Sequence, residues 1–393
     1  MTTAHQSLRV LLWTSTAKTT LVADLTGRFT ALEFSTALHG GFKDCHLAVP
    51  MPMQDAWLWL NRENLPGHHF HHLGILEATR TVWEGRVMDV TLVSNAGFLG
   101  IDAVALGYWS SMRDQYYDAD DAGNTNWQTA GPHNAGKIIR EMVTNECPDI
   151  NGTLDIDLNS RDIVGINLTD RNYPQDIIVD KLAPLSDSDG KLYFFGVWED
   201  RKPSWKARAA DRVDWYVWLR DIRQARYVQQ AVHLRNRILP VVGTAEGTGT
   251  TDAESTADYP LRELKLSLPA GLPTAAANDA RDAALKERKF PAQDQAFIID
   301  GRVYSTEVGP QTGPSAGALV ERSKWWIRAG DVLRIQDLVP ASVSTPKLDD
   351  LRTFFILETR YDAITDVLTV QPDRPPSRLG ALLARISLLE KNK

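Results

Sequence analysis

Short runs of alternating apolar and polar residues, each cut off by turn chemistry, constrain this chain more than any other feature. The clearest is the stretch 82–93, Val82-Trp83-Glu84-Gly85-Arg86-Val87-Met88-Asp89-Val90-Thr91-Leu92-Val93. Successive side chains of a strand point to opposite faces. Val87, Asp89, Thr91 and Val93 are therefore expected on one face, and Met88, Val90 and Leu92 on the other. Similar runs occur at 8–13, at 29–38 before a His39-Gly40-Gly41 turn, at 45–49 before Pro50 and Pro52, at 69–76 and at 98–106. Only 54–61 reads as a short helix in this region. Short strands at such spacing make barrels or sandwiches.

The character then changes. Residues 118–126 form a polar loop, and 133–147 place Ile138, Ile139, Met142 and Val143 on one helical face before Pro148. A second helix is expected over 173–185. Asp187-Ser188-Asp189-Gly190 reads as a hairpin turn into the aromatic, β-branched run 191–198. Strands are expected at 214–219 and 227–235. The stretch 243–258, rich in Gly, Thr, Ala and acids, reads as a mobile linker or exposed loop. A helix over 275–290 follows, then strands at 296–299, 302–308, 324–327, 332–335, 353–361 and 367–370, and a terminal helix at 378–389.

The resulting division is a first β-barrel domain at 1–110, an α/β insertion at 111–190, a β continuation of the core at 191–242, a flexible linker or loop at 243–258, and a helix plus second β-barrel domain at 259–393. The fold class is mainly β with an α+β insert.

Composition narrows the function. Forty-three Lys and Arg against fifty Asp and Glu leave a net charge of -7, which supplies no drive toward duplex phosphates or anionic lipid. The local basic groups Arg201, Lys202, Lys206, Arg208 and Arg220, Arg223, Arg226 are interleaved with Asp200, Asp211, Asp214 and Asp221, as on a solvated surface. Cys45 and Cys147 are the only cysteines and imply reduced thiols. The start of the chain has an apolar patch only from Val10 to Trp13, so no secretory leader is expected. No run approaches the ~20 apolar residues of a membrane helix. Twelve tryptophans are many, and large aromatics concentrate in cores and permanent interfaces.

Catalytic templates are missing: no GxSxG, GxxxxGK[ST], HExxH or Gly-rich strand-to-helix fingerprint occurs. The segment Thr244-Ala245-Glu246-Gly247-Thr248-Gly249 lacks the Lys and the helix of a phosphate loop. His68, His69, His71 and His72 flank Phe70 and offer imidazoles at i, i+2 on each face of a strand, but two ligands do not complete a metal site. The acid pairs Asp120-Asp121, Asp155 and Asp157, and Asp349-Asp350 show no fixed separation across a cleft. Trp57, Trp59, Trp127 and Trp205 could stack on sugars if exposed, which is the alternative reading of a carbohydrate-binding adhesin. No catalytic, metal or cofactor residue is assigned, and no cofactor or enzymatic activity is expected.

The order of certain motifs resembles the hub and tail-tip family of long-tailed phages. Gly40-Gly41-Phe42 follows the 29–38 run. Then come Val49-Pro50, Glu84-Gly85-Arg86-Val87-Met88-Asp89-Val90 and Ala105-Leu106-Gly107-Tyr108, a succession similar to the opening domain of minor tail proteins. Later, Trp325-Trp326-Ile327-Arg328-Ala329-Gly330-Asp331-Val332-Leu333-Arg334-Ile335-Gln336-Asp337 resembles a hairpin of their later domain, with Val332 and Ile335 inward and Gly330-Asp331 turning. The resemblance covers about three quarters of the chain, least clearly between 123 and 185. It implies two tail-tube-like β-barrels, and a homotrimeric ring that joins tube to tip and passes DNA. Its partners would be copies of itself and other tail proteins (tube, distal tail, tape measure, fibre or spike), without sequence-specific nucleic acid, in a virion assembled from host cytoplasm. Without a long C-terminal extension, no fused fibre or peptidoglycan hydrolase is expected.

Overall fold

Alternating sequences bury one face and must find partners for both edges. In the computed structural model most strands of one large sheet do so among the described residues. Described are residues 7–60, 70–95, 98–118, 124–125, 133–158, 162–163, 172–183, 193–207, 213–230, 234–268, 274–289, 292–306, 319–338 and 352–373. Leu8–Trp13 lies between Leu21–Asp24 and His72–Glu77. From there an antiparallel ladder runs through Arg80–Asn95, Phe98–Gly107, Gly40–Pro50 and Ala31–Ala37.

Ala31–Ala37 next pairs with Thr353–Asp362, so the first and last parts of the chain share one sheet. The other edge of Thr353–Asp362 takes Val367–Asp373, followed by Ala292–Ile299 and Ile222–Gln230. Its opening residues also pair with Val332–Gln336, which leads to Trp215–Trp218, Val303–Thr306 and Leu319–Arg322. The chain is thus mainly β. Among the described residues, however, no ladder returns to its own start, so neither expected barrel closes there. Thr353–Asp362 divides one edge between two partners and carries a bulge between Ile356 and Glu358.

One core joins Leu12, Leu32, Phe42, Trp83 and Ile101 to Val217, Phe297, Leu333, Ile356 and Leu368. A second gathers Tyr108, Met112 and Ile138, Ile139, Met142 and Val143 of the helix Ala135–Glu146 against Phe195 and Trp205. Asn134 caps that helix by accepting from the Gly136 N–H at 2.8 Å. Tyr193–Trp198 and Lys202–Ala207 pair with each other, and Tyr193–Trp198 docks in parallel on Gly40–Pro50. A third, smaller core holds Ile238, Leu266, Leu268, Ala284 and Leu285 between a small sheet and the helix Thr274–Arg288.

Several expectations change. The alternation at 82–93 breaks at a bulge between Val87 and Asp89: Val87 enters the core, Asp89 and Thr91 face solvent, and Val90 and Leu92 pack inward. Residues 324–327 are not a strand but a 3₁₀ turn, Lys324–Trp326, which inserts Trp325 into the core while Trp326 stacks under Arg80 at 4.2 Å. The 243–258 stretch is regular rather than loose. Its Ala245–Glu246 and Thr250–Thr251 pair with Arg237–Val242, and Asp252 caps the helix Ala253–Asp258 through the Ser255 N–H. The strand expected at 227–235 starts earlier, as Ile222–Gln230. Residues 187–190 and 378–389 lie outside the described residues.

Candidate functional site at the polar seam

Glu84 and Arg86 sit on a strand covered on both faces, at 1% and 4% exposure, so their charges need partners. Glu84 accepts from the Arg201 N–H at 2.6 Å and from Lys18 Nζ at 3.3 Å. Arg86 donates Nη2 to Asp114 at 2.9 Å and lies 3.5 Å from Asp149. His72 Nδ1 meets the Tyr108 hydroxyl at 2.7 Å. Burial, with Lys18 and Arg201 nearby, pushes the His72 pKa down to about 3, so its ring is neutral. Burial raises the Glu84 carboxyl against the opposing pull of Lys18 and the Arg201 amide.

The second motif meets the same turn from the other side. Arg328 donates to Glu199 at 2.5 Å, and its guanidinium lies over Phe42, Trp198 and Trp326 at 5.1, 5.5 and 5.4 Å. Asp331 accepts from Trp215 Nε1 at 2.8 Å and from the Arg328 N–H at 2.9 Å. Gly330, at φ +95°, allows the bend that brings these groups together. Desolvation and the neighbouring Asp214 raise the Asp331 carboxyl to about 6. Thr36 accepts the Ala329 N–H at 2.8 Å and lies 2.7 Å from the Thr359 hydroxyl, which bonds the seam to the shared sheet.

The turn Glu199–Arg201 is therefore clamped between Glu84-Gly85-Arg86 and Arg328-Ala329-Gly330-Asp331. Asp200 and Arg201 hold φ of 58° and 59°, a strained conformation for residues with a Cβ. Sequence reading missed this turn; the available signal was an acidic pair with Asp at the bend, between two aromatic strands. Beside the seam opens a cleft of about 1370 Å³, whose lining includes Glu77, Arg80, Glu199, Arg302, Glu321 and Asp331. Its charges are largely matched: Lys324 pairs with Asp366 at 2.9 Å, and Trp326 Nε1 donates to Glu77 at 2.5 Å.

The other sequence candidates disperse. His72 is enclosed, while His68 and His69 lie outside the described residues, and among those described no group of three or more His, Cys, Asp or Glu could hold a metal ion. Asp155 pairs with Lys206 and Asp157 accepts from Tyr193, while Asp120-Asp121 and Asp349-Asp350 are outside the description. The 244–249 segment is a hairpin, with Ala245 opposite Val242 and Glu246 opposite Val241. Trp59 and Trp205 are buried in cores, where no sugar can stack; Trp57 is 42% exposed and Trp127 is outside the description. No helix among the described residues is long and apolar enough to cross a membrane.

No family model matches the sequence, and no curated protein does. Solved structures do match. The 43 kDa tail protein of prophage MuSo2 from Shewanella oneidensis aligns with a TM-score of 0.62 and 11% identity, covering 96% of this chain and 98% of that one. The tail protein from Neisseria meningitidis MC58 aligns with a TM-score of 0.58 and 8% identity, covering 95% and 99%. At such identity the likeness is one of fold, and it extends over nearly the whole of each chain.

Proposed function

We propose that this chain, built on the fold of prophage tail proteins, is a structural subunit of a phage tail tip or baseplate hub. Copies form a ring, a homotrimer, that joins the tail tube to the tip and helps pass DNA to the host. The observation that carries this reading is the end-to-end match to a 43 kDa prophage tail protein, a chain aligned over 98% of its length. Three strands support the ring: Leu21–Asp24, Ile222–Gln230 and Leu319–Arg322 each have one ladder partner among the described residues, and such edges suit pairing with another copy. A net charge of -7 suits a conduit, since a lumen that attracted phosphate would hold DNA back.

On this reading the two halves are tail-tube-like barrels completed in the assembly, and the segment built on the helix Ala135–Glu146 is an α/β insert. The partners are other tail proteins above and below, and the chain resides in the virion after synthesis in the host cytoplasm. Its role is mechanical rather than catalytic: Glu84, Arg86 and Arg328 serve the seam. Electron microscopy of the particles that carry the chain, labelled with an antibody against it, tests the assignment. Label at the tail end distal to the capsid is expected; label elsewhere, or particles without the chain, refutes it.

A further inference from the structure

Tyr117 forms an antiparallel bridge with Asn172, its N–H donating to the Asn172 carbonyl at 2.9 Å. In that register the preceding Tyr116 stands opposite the following Tyr173. Their rings stack with centroids 4.3 Å apart and planes 21° from parallel. The hydroxyl of Tyr173 donates to that of Tyr116 at 3.0 Å, so the rings point the same way and the carbons flanking each hydroxyl lie face to face. Two contacts flank the arrangement, the Tyr117 hydroxyl donating to Glu141 at 2.8 Å and Arg113 pairing with Asp176 at 2.6 Å, and Pro174 opens the helix after Tyr173. Tyr116 is 51% exposed and open to a reagent in solution.

We propose that Tyr116 and Tyr173 are a site of oxidative cross-linking, where a one-electron oxidant such as a peroxidase fed with hydrogen peroxide converts the pair to dityrosine. Each phenol gives one electron and one proton to the oxidant. The two radicals couple through the ring carbons ortho to the hydroxyls, and the hydrogens on those carbons move to the oxygens as the rings regain aromaticity. Per cross-link, two hydrogen atoms leave the protein and one peroxide becomes two waters. The bond would lock the segment that contains the helix Ala135–Glu146 into a closed covalent loop. This inference stands apart from the tail assignment, because it rests only on the geometry of one chain.

The test treats the full-length protein with peroxidase and peroxide, followed by digestion and mass spectrometry. The expected product joins the Tyr116 and Tyr173 peptides with a mass lower by two hydrogen atoms, in a yield that does not fall on dilution. It is lost in both Tyr116→Phe and Tyr173→Phe, variants that keep the stacked rings and whose fold is checked by circular dichroism. Tyr216, directly opposite Tyr304 on neighbouring strands, is the internal reference. Coupling of Tyr216 to Tyr304 in preference, tyrosine oxidation without the Tyr116–Tyr173 product, or a yield that falls with dilution overturns the proposal.

Discussion

Replacing Gly41 with alanine probes the point where the strand Tyr193–Trp198 docks on Gly40–Pro50. Gly41 pairs in parallel with Val197, and its φ is +76°. A Cβ there would stand 2.3 Å from the Val197 carbonyl oxygen and 2.6 Å from its nitrogen, backbone atoms that cannot rotate aside. The left-handed conformation alone costs about 1–2 kcal/mol for alanine. Pushing the strand away adds about 1–3 kcal/mol of overpacking, and it drags the Glu199–Arg201 turn off Glu84 and Arg328. Gly27→Ala is the control, because Gly27 has φ +67° but nothing within 4 Å of the added carbon. Denaturant unfolding followed by tryptophan fluorescence and circular dichroism should show Gly41→Ala less stable than Gly27→Ala by about 1–3 kcal/mol. Equal losses in the two variants would refute the reasoning.

Other consequences follow from the seam. His72 has its pKa depressed from 6.5 to about 3, so the unfolded chain takes up its proton first and the stability His72 contributes is lost as pH falls below 6.5. By pH 4.5 the loss is about 2–3 kcal/mol, and the difference between wild type and His72→Asn in unfolding free energy should shrink by that amount between pH 7 and 4.5. Asp331 has the opposite sign: its carboxyl is raised from 3.8 to about 6, so its contribution weakens as pH rises through that window. Asp331→Asn should flatten that part of the stability profile, and an unchanged slope would contradict it. Arg328→Lys keeps the charge but loses the flat guanidinium over Phe42, Trp198 and Trp326; a loss of about 1–3 kcal/mol is expected, read by thermal unfolding.

Periodicity made many of the strands and three of the helices legible, because one buried face leaves a local signature: Ala135–Glu146 and Thr274–Arg288 were both visible from apolar spacing and a following proline, whereas Lys202–Ala207, Glu263–Leu268 and Leu319–Arg322 were not expected. The joining of the two ends of the chain was not. Nothing local in Ala31–Ala37 or Thr353–Asp362 states that they pair, since both would satisfy an edge in any β fold. The bulge at Met88 was hidden for a related reason, as it shows only in the pairing with Phe98–Gly107. The motifs around Glu84 and Arg328 could be seen singly. Their common partner could not, because it is a turn more than a hundred residues from each, and it carries charges that read as surface.

The native mass of the purified chain, with negative-stain images of the same sample, bears most directly on the ring. A closed oligomer with three copies and a central opening is expected. A stable monomer that binds no tail protein would contradict it.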